Sequence, residues 1–500
     1  MNIVTFLEMA ASADPGRVAL GEHLTYAGLL EAASRLAGHW NQAPPGVVYA
    51  TVATPALPIA LFAAAWTGRP FAPVSYRLAD EPLRTVLRGQ APAVVIADGR
   101  PAEIASAVDG LTIMAPSMAG PTAGGAEDSP AAASGGPPAG DPVQDPDLPC
   151  VLLHTSGTTA APKVAVLRHR HLTSYVLGSV DFLSAGPEEA TLISVPPYHI
   201  AGIAGLLTAL YGGRRIVQLP NFEARAWVRL AREQRVTHAM VVPTMLARIA
   251  AVLEEDGGGL PYLRHLSYGG GRMPVPVIER ALRLLPHVDF AGAYGLTETS
   301  SSIAVLGPED HRLALASGDA AVRRRLGSVG RSLPAVELVV RDPDGKDLPP
   351  GEAGELWVRG PQVSGEYAHG ALIDAEGWFR TRDGGWIDQE GYVFVEGRLD
   401  DVIVRGGENL SPGEIEDVLL QHPAVAETAV IGMPDEQWGE VVAAVVVTRP
   451  GTAPTADELR GWVGDRLRSS RVPAKVVFRD SLPRNDVGKL LRRDLRQAIL

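Results

Sequence analysis

Five hundred residues exceed what one hydrophobic core normally serves and imply about three folding units, or two if one is large. Lys and Arg total 45 against 57 Asp and Glu, a formal charge of −12 with the arginines scattered, so nucleic acid is not an expected partner. The apolar fraction of 46% is ordinary for a globular chain, and the longest weakly polar stretch, Pro55 to Gly68, carries Pro58 and is too short to span a bilayer, so no membrane span is expected.

The amino terminus, MNIVTFLEMA, has no basic cluster before its apolar residues and already carries Glu8. It does not read as a secretory signal, and the expected location is the cytoplasm. Phe6 to about Trp40 has a helical pattern with a polar interruption, and Tyr26 opens a second amphipathic segment. Val47 to Ala53 then reads as a buried strand, Leu57 to Trp66 as a core helix, and Phe71 to Val74 and Val94 to Ala97 as short strands. Such alternation argues for an α/β domain with a parallel sheet. Residues 115–149 break the rhythm with Pro, Gly, Ala and Ser, and almost no large apolar side chain to offset ordering entropy. They read as a flexible insertion.

Cys150 to Leu153 suits a buried strand, and the stretch after it, Thr155 to Lys163 (TSGTTAAPK), looks like a phosphate cradle. Gly157 permits close backbone approach, the hydroxyls of Thr155, Ser156, Thr158 and Thr159 can donate to phosphate oxygens, and Lys163 adds positive charge. The spacing is not that of a Walker loop, and a plain polar turn is the alternative. A single cysteine excludes an internal disulfide and a multi-cysteine metal site. Cys150 reads as a small core residue rather than a nucleophile.

Alternation resumes with strand candidates Leu192 to Val195, Ile216 to Leu219 and Ala239 to Val242. Turn-rich segments follow, with strands at Val336 to Arg341, Glu355 to Arg359, Trp386 to Asp388 and Tyr392 to Val395. The last hundred residues read as a compact α+β unit: helix Ser411 to Gln421, strands Val425 to Gly432 and Val441 to Thr448, helix Ala456 to Leu467 and strand Lys475 to Phe478.

Short signatures occur downstream of the loop in a fixed order: Pro197-Tyr198-His199-Ile200-Ala201-Gly202, Tyr294-Gly295-Leu296-Thr297-Glu298, Gly354-Glu355-Leu356, Thr381-Arg382-Asp383, Gly397-Arg398-Leu399-Asp400-Asp401, Gly406-Gly407-Glu408-Asn409 and Gly488-Lys489. Together with TSGTTAAPK they resemble the acyl-adenylate-forming superfamily of acyl- and aryl-CoA ligases, luciferases and peptide-synthetase adenylation domains. The resemblance covers the chain except the insertion. It implies an α/β amino-terminal domain over residues 1–396, a hinge at 397–400 and a small mobile α+β lid over 401–500. Two positions depart from the family pattern: Ala160 stands where a second glycine is usual, and Arg382 where a glycine commonly precedes Asp383.

The implied chemistry joins a carboxylate to the α-phosphate of ATP. The acid is already ionised, so the obstacle is the approach of one anion to another, and placed cations and donors should supply most of the acceleration. On the resemblance, Lys489 bridges carboxylate and α-phosphate. Glu298 and Thr158 hold magnesium, and Thr297 donates to phosphate. Asp383 and Arg398 take the ribose or phosphate, while Tyr294, Gly295 and Gly270 line the adenine side. Each has a plainer alternative: a solvated lysine, a turn, a surface ion pair. His199 stands where amino-acid-activating relatives carry an aspartate for the substrate ammonium. This favours an acid without an α-amine, with His199 lining or gating the acyl pocket; a satisfied half-buried histidine is the alternative. Gly269, Gly270 and Gly271 would let a flat substrate lie against backbone, or form only a tight turn. Asp400 falls at the family's hinge, about which the lid would rotate to present Gly406, Gly407, Glu408 and Trp438 to CoA.

The expectation is therefore an ATP- and Mg2+-dependent ligase that activates an aromatic or medium-sized apolar carboxylic acid and passes it to CoA. The alternative acceptor is a carrier protein, acting in trans because no carrier segment follows Leu500. A nucleotide-binding sensor without chemistry is the reading of a different class, opposed by Lys489, Glu298 and Asp383. The oligomeric state and the acid itself stay open.

Overall fold

The stretch around Pro58 folds as the helix Ala56–Trp66, with every residue buried. A helix apolar on all sides must be covered on all sides. Here two sheets and their helices do so. Val47, Tyr49, Phe71, Val94 and Ile96 from one sheet share a core with Leu20, Ile193 and Ile216 from the other, and with the helices Val4–Ala13, Tyr26–His39 and Ile200–Gly212. The computed structural model describes residues 1–120, 138–155, 163–485 and 490–499.

Among the described residues there are four sheets. In the nine-stranded sheet, Val18–Leu20, Arg215–Gln218, Ala190–Ile193, His238–Val241, His265–Gly269 and Asp289–Leu296 run parallel as neighbours. Ser301–Leu306 then turns back antiparallel. The eight-stranded sheet has a parallel half, Gly46–Tyr49, Phe71–Pro73, Ala93–Ile96 and Leu111–Met114. Its other half is the antiparallel hairpin Pro149–Thr155 with Lys163–Arg168, which pairs on to Glu366–Tyr367. Glu337–Arg341, Gly354–Arg359, Phe379–Ile387 and Val393–Arg398 form an antiparallel four-stranded sheet. The last unit carries five strands, led by the long pair Val425–Asp435 and Gly439–Thr448, with helices Pro412–Leu420 and Ala456–Gly464 on a core of Ile415, Leu419, Val430, Val442 and Leu459.

The strands and helices expected from periodicity occur, with ends shifted by at most four residues except at Trp386 to Asp388, which overlaps the end of a nine-residue strand. The hairpin return Lys163–Arg168 and the strands at 265–269, 289–296 and 301–306 carry the fold beyond what periodicity isolates. The insertion at 115–149 is corrected at both ends. Pro116–Ala119 is a helical turn. Ala139 N–H donates to the Ser34 carbonyl, Val143 N–H to that of Trp66, and Trp66 Nε1 and Asn2 Nδ2 donate to the carbonyls of Gly140 and Val143. Backbone hydrogen bonds to buried partners hold what side-chain burial does not. Residues 121–137 lie outside the described residues.

Candidate active site

In a parallel sheet the carboxyl ends of the strands open onto one crevice, where α/β folds bind their ligands. Four adjacent strands place His199, the glycine run and the Tyr294-to-Glu298 motif there. Ala190–Ile193 leads to His199, which caps the buried helix Ile200–Gly212. His238–Val241 leads to Val242 and Pro243, which opens helix Pro243–Asp256. His265–Gly269 leads to Gly270 and Gly271, and Asp289–Leu296 to the tight 3-10 turn Thr297–Thr299.

Gly270 has φ +77°, and a Cβ there would stand 3.5 Å from Val242 Cγ1; a Cβ at Gly271 would lie 3.9 Å from Pro243. Gly270 and Gly271 are exposed and lie beside Val242 and Pro243, two residues that sequence reasoning passed over because an isolated Val-Pro carries no motif. Gly269 is a packing glycine, its missing Cβ facing the Ala293 carbonyl at 2.6 Å. The Tyr198 and His199 rings lie 4.8 Å apart, and Tyr76 meets Tyr198 edge-on at 6.1 Å, an aromatic group beyond the end of strand Ala190–Ile193.

Tyr294 and Gly295 sit at a bulge in the pairing with Ser301–Leu306, a distortion that re-aims side chains. The Tyr294 hydroxyl donates to Asp383 Oδ2 at 2.7 Å, and Arg398 Nε lies 3.0 Å from Asp383 Oδ1. Burial first, then the Asp383 charge, hold the phenol far above its ordinary pKa, so it stays a donor. Asp383 and Arg398 are direct cross-strand partners, and Thr381 Oγ1 accepts from the Asp383 N–H at 3.1 Å. Tyr294 therefore orients Asp383, a task the sequence did not assign to it.

Glu298 is buried at 8% exposure. The Tyr367 hydroxyl donates to its Oε1, and its main-chain oxygen accepts from Ser364 N and Gly365 N at 2.8 and 3.1 Å. Thr155 and Lys163 face each other at the mouth of the hairpin, and Lys163 Nζ lies 5.7 Å from the Tyr367 ring centroid. Tyr367 thus joins Lys163 to Glu298, and its position before the Thr381 motif gave no signal by itself. Ser156, Gly157, Thr158, Thr159 and Ala160 lie outside the described residues, as does Lys489. Among the described residues no cluster of three His, Cys, Asp or Glu could cage a metal. A single carboxylate such as Glu298 nevertheless fits Mg2+, which keeps water and takes one or two carboxylates plus substrate phosphates.

In the last unit Gly406 has φ +58°, and a Cβ there would stand 2.8 Å from the Trp438 ring. Gly406 N–H donates to the Trp438 carbonyl at 2.7 Å, and Arg405 lies over the indole at 5.4 Å. Glu408 pairs with Arg471 at 2.8 Å. Gly406, Gly407, Glu408 and Trp438 are therefore one surface. Asp400, in the expected hinge, pairs with Arg382 at 2.8 Å, and Arg272 reaches Asp417 on helix Pro412–Leu420 at 2.5 Å. Cys150 is buried, and burial pushes its thiol pKa up, as a core cysteine's should be. No helix of the described residues is long and apolar enough to cross a membrane.

Comparison with known proteins meets this geometry. The family model for AMP-binding enzymes matches residues 7–368, and that for the AMP-binding enzyme carboxy-terminal domain matches 414–489. The chain is 33% identical to an indoleacetate–CoA ligase of Aromatoleum aromaticum, covering 100% of this chain and 98% of that protein. It is 38% identical to ScoC of Streptomyces coeruleorubidus, a fatty acid–[acyl-carrier-protein] ligase, over 70% of this chain and 67% of that one. The crystal structure of ATP-bound MatB from Rhodopseudomonas palustris superposes with a TM-score of 0.85 at 28% identity, covering 100% and 99% of the two chains. The chain belongs to the AMP-binding enzyme family, the acyl-adenylate-forming superfamily of ATP-dependent ligases.

Proposed function

We propose that the protein is an acid–CoA ligase that forms an acyl-adenylate from ATP and an aromatic or medium-sized apolar carboxylic acid, releases pyrophosphate, and transfers the acyl group to CoA with release of AMP. The observation that carries this reading is the placing of Gly270 and Gly271, beside Val242 and Pro243, at the same strand ends as His199 and the Thr297-Glu298 turn. His199 in place of an aspartate for a substrate ammonium favours an acid without an α-amine. The whole-length similarity to an indoleacetate–CoA ligase supports the aromatic choice.

Within this reading Asp383, oriented by Tyr294 and Arg398, takes the ribose hydroxyls. Thr155 and Lys163 flank the phosphate loop, completed by Ser156, Gly157, Thr158 and Thr159. Mg2+, held by Glu298 and Thr158, neutralises phosphate charge when bound. Lys489 supplies the cation between carboxylate and α-phosphate. Gly406, Gly407, Glu408 and Trp438 form the face that receives the CoA arm, as the lid turns about Asp400. Transfer to a carrier protein is the second reading; the similarity to ScoC bears on it, and the whole-length similarity to a CoA ligase weighs against it.

The test is pyrophosphate release over a panel of aryl and aliphatic acids, with CoA or a carrier protein as acceptor. Aryl acids should give the highest kcat/KM and a CoA thioester; adenylate without any thioester would overturn the CoA step. Lys489→Ala should lower adenylation by about three orders of magnitude or more while supplied acyl-adenylate still reacts with CoA. Equal loss of both half-reactions would contradict the lid assignment.

A further inference from the structure

Glu298 can serve a phosphate-bound metal only if one of its oxygens is held toward the loop rather than left to rotate. The segment Gln362 to Ala368, absent from every motif that identifies the family here, is built to hold it. Gln362 Nε2 donates to the carbonyls of Thr299 and Ser302 at 3.0 and 2.7 Å. Ser364 and Gly365 N–H groups donate to the Glu298 carbonyl. These bonds fix the backbone of the Thr297–Thr299 turn. The same segment is also tied to the phosphate-loop hairpin. Ser364 Oγ donates to the Val166 carbonyl, Ala368 N–H to that of Val164, Tyr367 pairs with Ala165, and Arg168 binds both oxygens of Glu366 at 2.6 and 2.7 Å.

One side chain completes the bridge. The Tyr367 hydroxyl donates to Glu298 Oε1, and its ring face lies 5.7 Å from the Lys163 ammonium. A carboxylate with one oxygen bound to a protein donor has the other free to ligate, and such supporting donors are worth about 10- to 100-fold in metal affinity. We propose that Tyr367 is a positioning residue for the nucleotide's divalent metal, holding Glu298 Oε1 so that Oε2 is presented to the ion, while its ring steers Lys163 toward the phosphate loop. This rests on the ATP-dependent function proposed above.

The test is Tyr367→Phe, which removes one hydroxyl and keeps the ring. Two titrations are read on the full chain: Mg2+ against the rate of pyrophosphate release, and Mn2+ binding by electron paramagnetic resonance with α,β-methylene-ATP. Half-saturating metal should rise about 10-fold or more in both, with the melting midpoint kept. In a Glu298→Gln background the same substitution should add nothing. Unchanged metal titrations, or a further loss in that background, overturn the proposal. So does a Y367F protein that fails to fold, since the hydroxyl would then hold the fold rather than the carboxylate. A wild-type protein that binds no Mn2+ with the analogue overturns the function itself, a result distinct from all of these.

Discussion

Arg382 shows how a single residue can conflict with its backbone and still be held. It has φ +59°, in the left-handed region where a Cβ costs about 1–2 kcal/mol, which accounts for the glycine common at this position in relatives. Two contacts offset that cost: its N–H donates to Glu355 Oε1 at 3.2 Å, and its guanidinium pairs with Asp400 at 2.8 Å. The pair is exposed, so it contributes at most about 1 kcal/mol. Arg382→Gly should therefore be at least as stable as the parent in urea unfolding, whereas Arg382→Ala, which keeps the strained backbone and loses the pair, should fall below Arg382→Gly by about 1 kcal/mol. The reverse order would show the ion pair to dominate. At this scale the sequence was legible wherever chemistry and motif coincide, as at Glu298, Asp383 and Arg398. It was silent on Tyr367, Val242 and Pro243, whose importance lies in which strand end or carboxylate they meet, a matter of three-dimensional pairing that one chain does not display.

Among elements, the contact that matters is the seat of helix Pro412–Leu420 against the larger unit. Arg272 follows the glycine run and reaches Asp417 at 2.5 Å, lying so close to Gly413 that a Cβ there would collide with the guanidinium. Ser411 Oγ adds a bond to the Glu396 carbonyl at 3.0 Å. An ion pair this exposed contributes at most about 1 kcal/mol, which suits the mobile lid proposed above. Arg272→Ala and Gly413→Ala should both loosen it: the first removes the cation, the second displaces it. Limited proteolysis between the units should then run several-fold faster in both variants, and salt should speed the parent toward the same rate. An unchanged rate in both would mean that the ion pair does not hold the helix. The helix itself was readable from its apolar spacing. Its partner was not, because Arg272 lies 145 positions from Asp417 in sequence.

The whole molecule carries an acid sensitivity that its composition does not announce. Three histidines lie in the larger unit with little exposure: His169 and His171, both buried, begin the helix His169–Ser179 beside the hairpin strand Lys163–Arg168, and His238, half-buried, begins a strand of the nine-stranded sheet. Burial, joined by the amino-terminal charge for His169 and Arg170 for His171, pushes both down to about 4. Burial with Arg214 pushes His238 to about 3, although Glu189 stands only 3.7 Å away, so this contact involves a neutral imidazole. The unfolded chain takes up these protons near pH 6.5 and the folded chain only near 3 to 4. Stability is therefore full above 6.5 and lost as pH falls, by about 1.4 kcal/mol per unit and per histidine. Asp417 works the other way: burial raises its carboxyl to about 6, so the folded form gains from protonation between 6 and 3.8, and burial raises Glu8 and Glu396 as well. Against these, burial also lowers His154 and His311, and the histidine loss begins at higher pH. The melting midpoint should thus fall steeply from pH 7 to 5 at constant ionic strength. His238→Gln, which cannot take up the proton, should flatten the slope by about one proton, because ∂ΔG/∂pH counts the protons gained on unfolding. A midpoint that holds level or rises over that range would mean that these imidazoles are charged in the folded protein, and that the carboxylates near them, Glu189 foremost, outweigh burial.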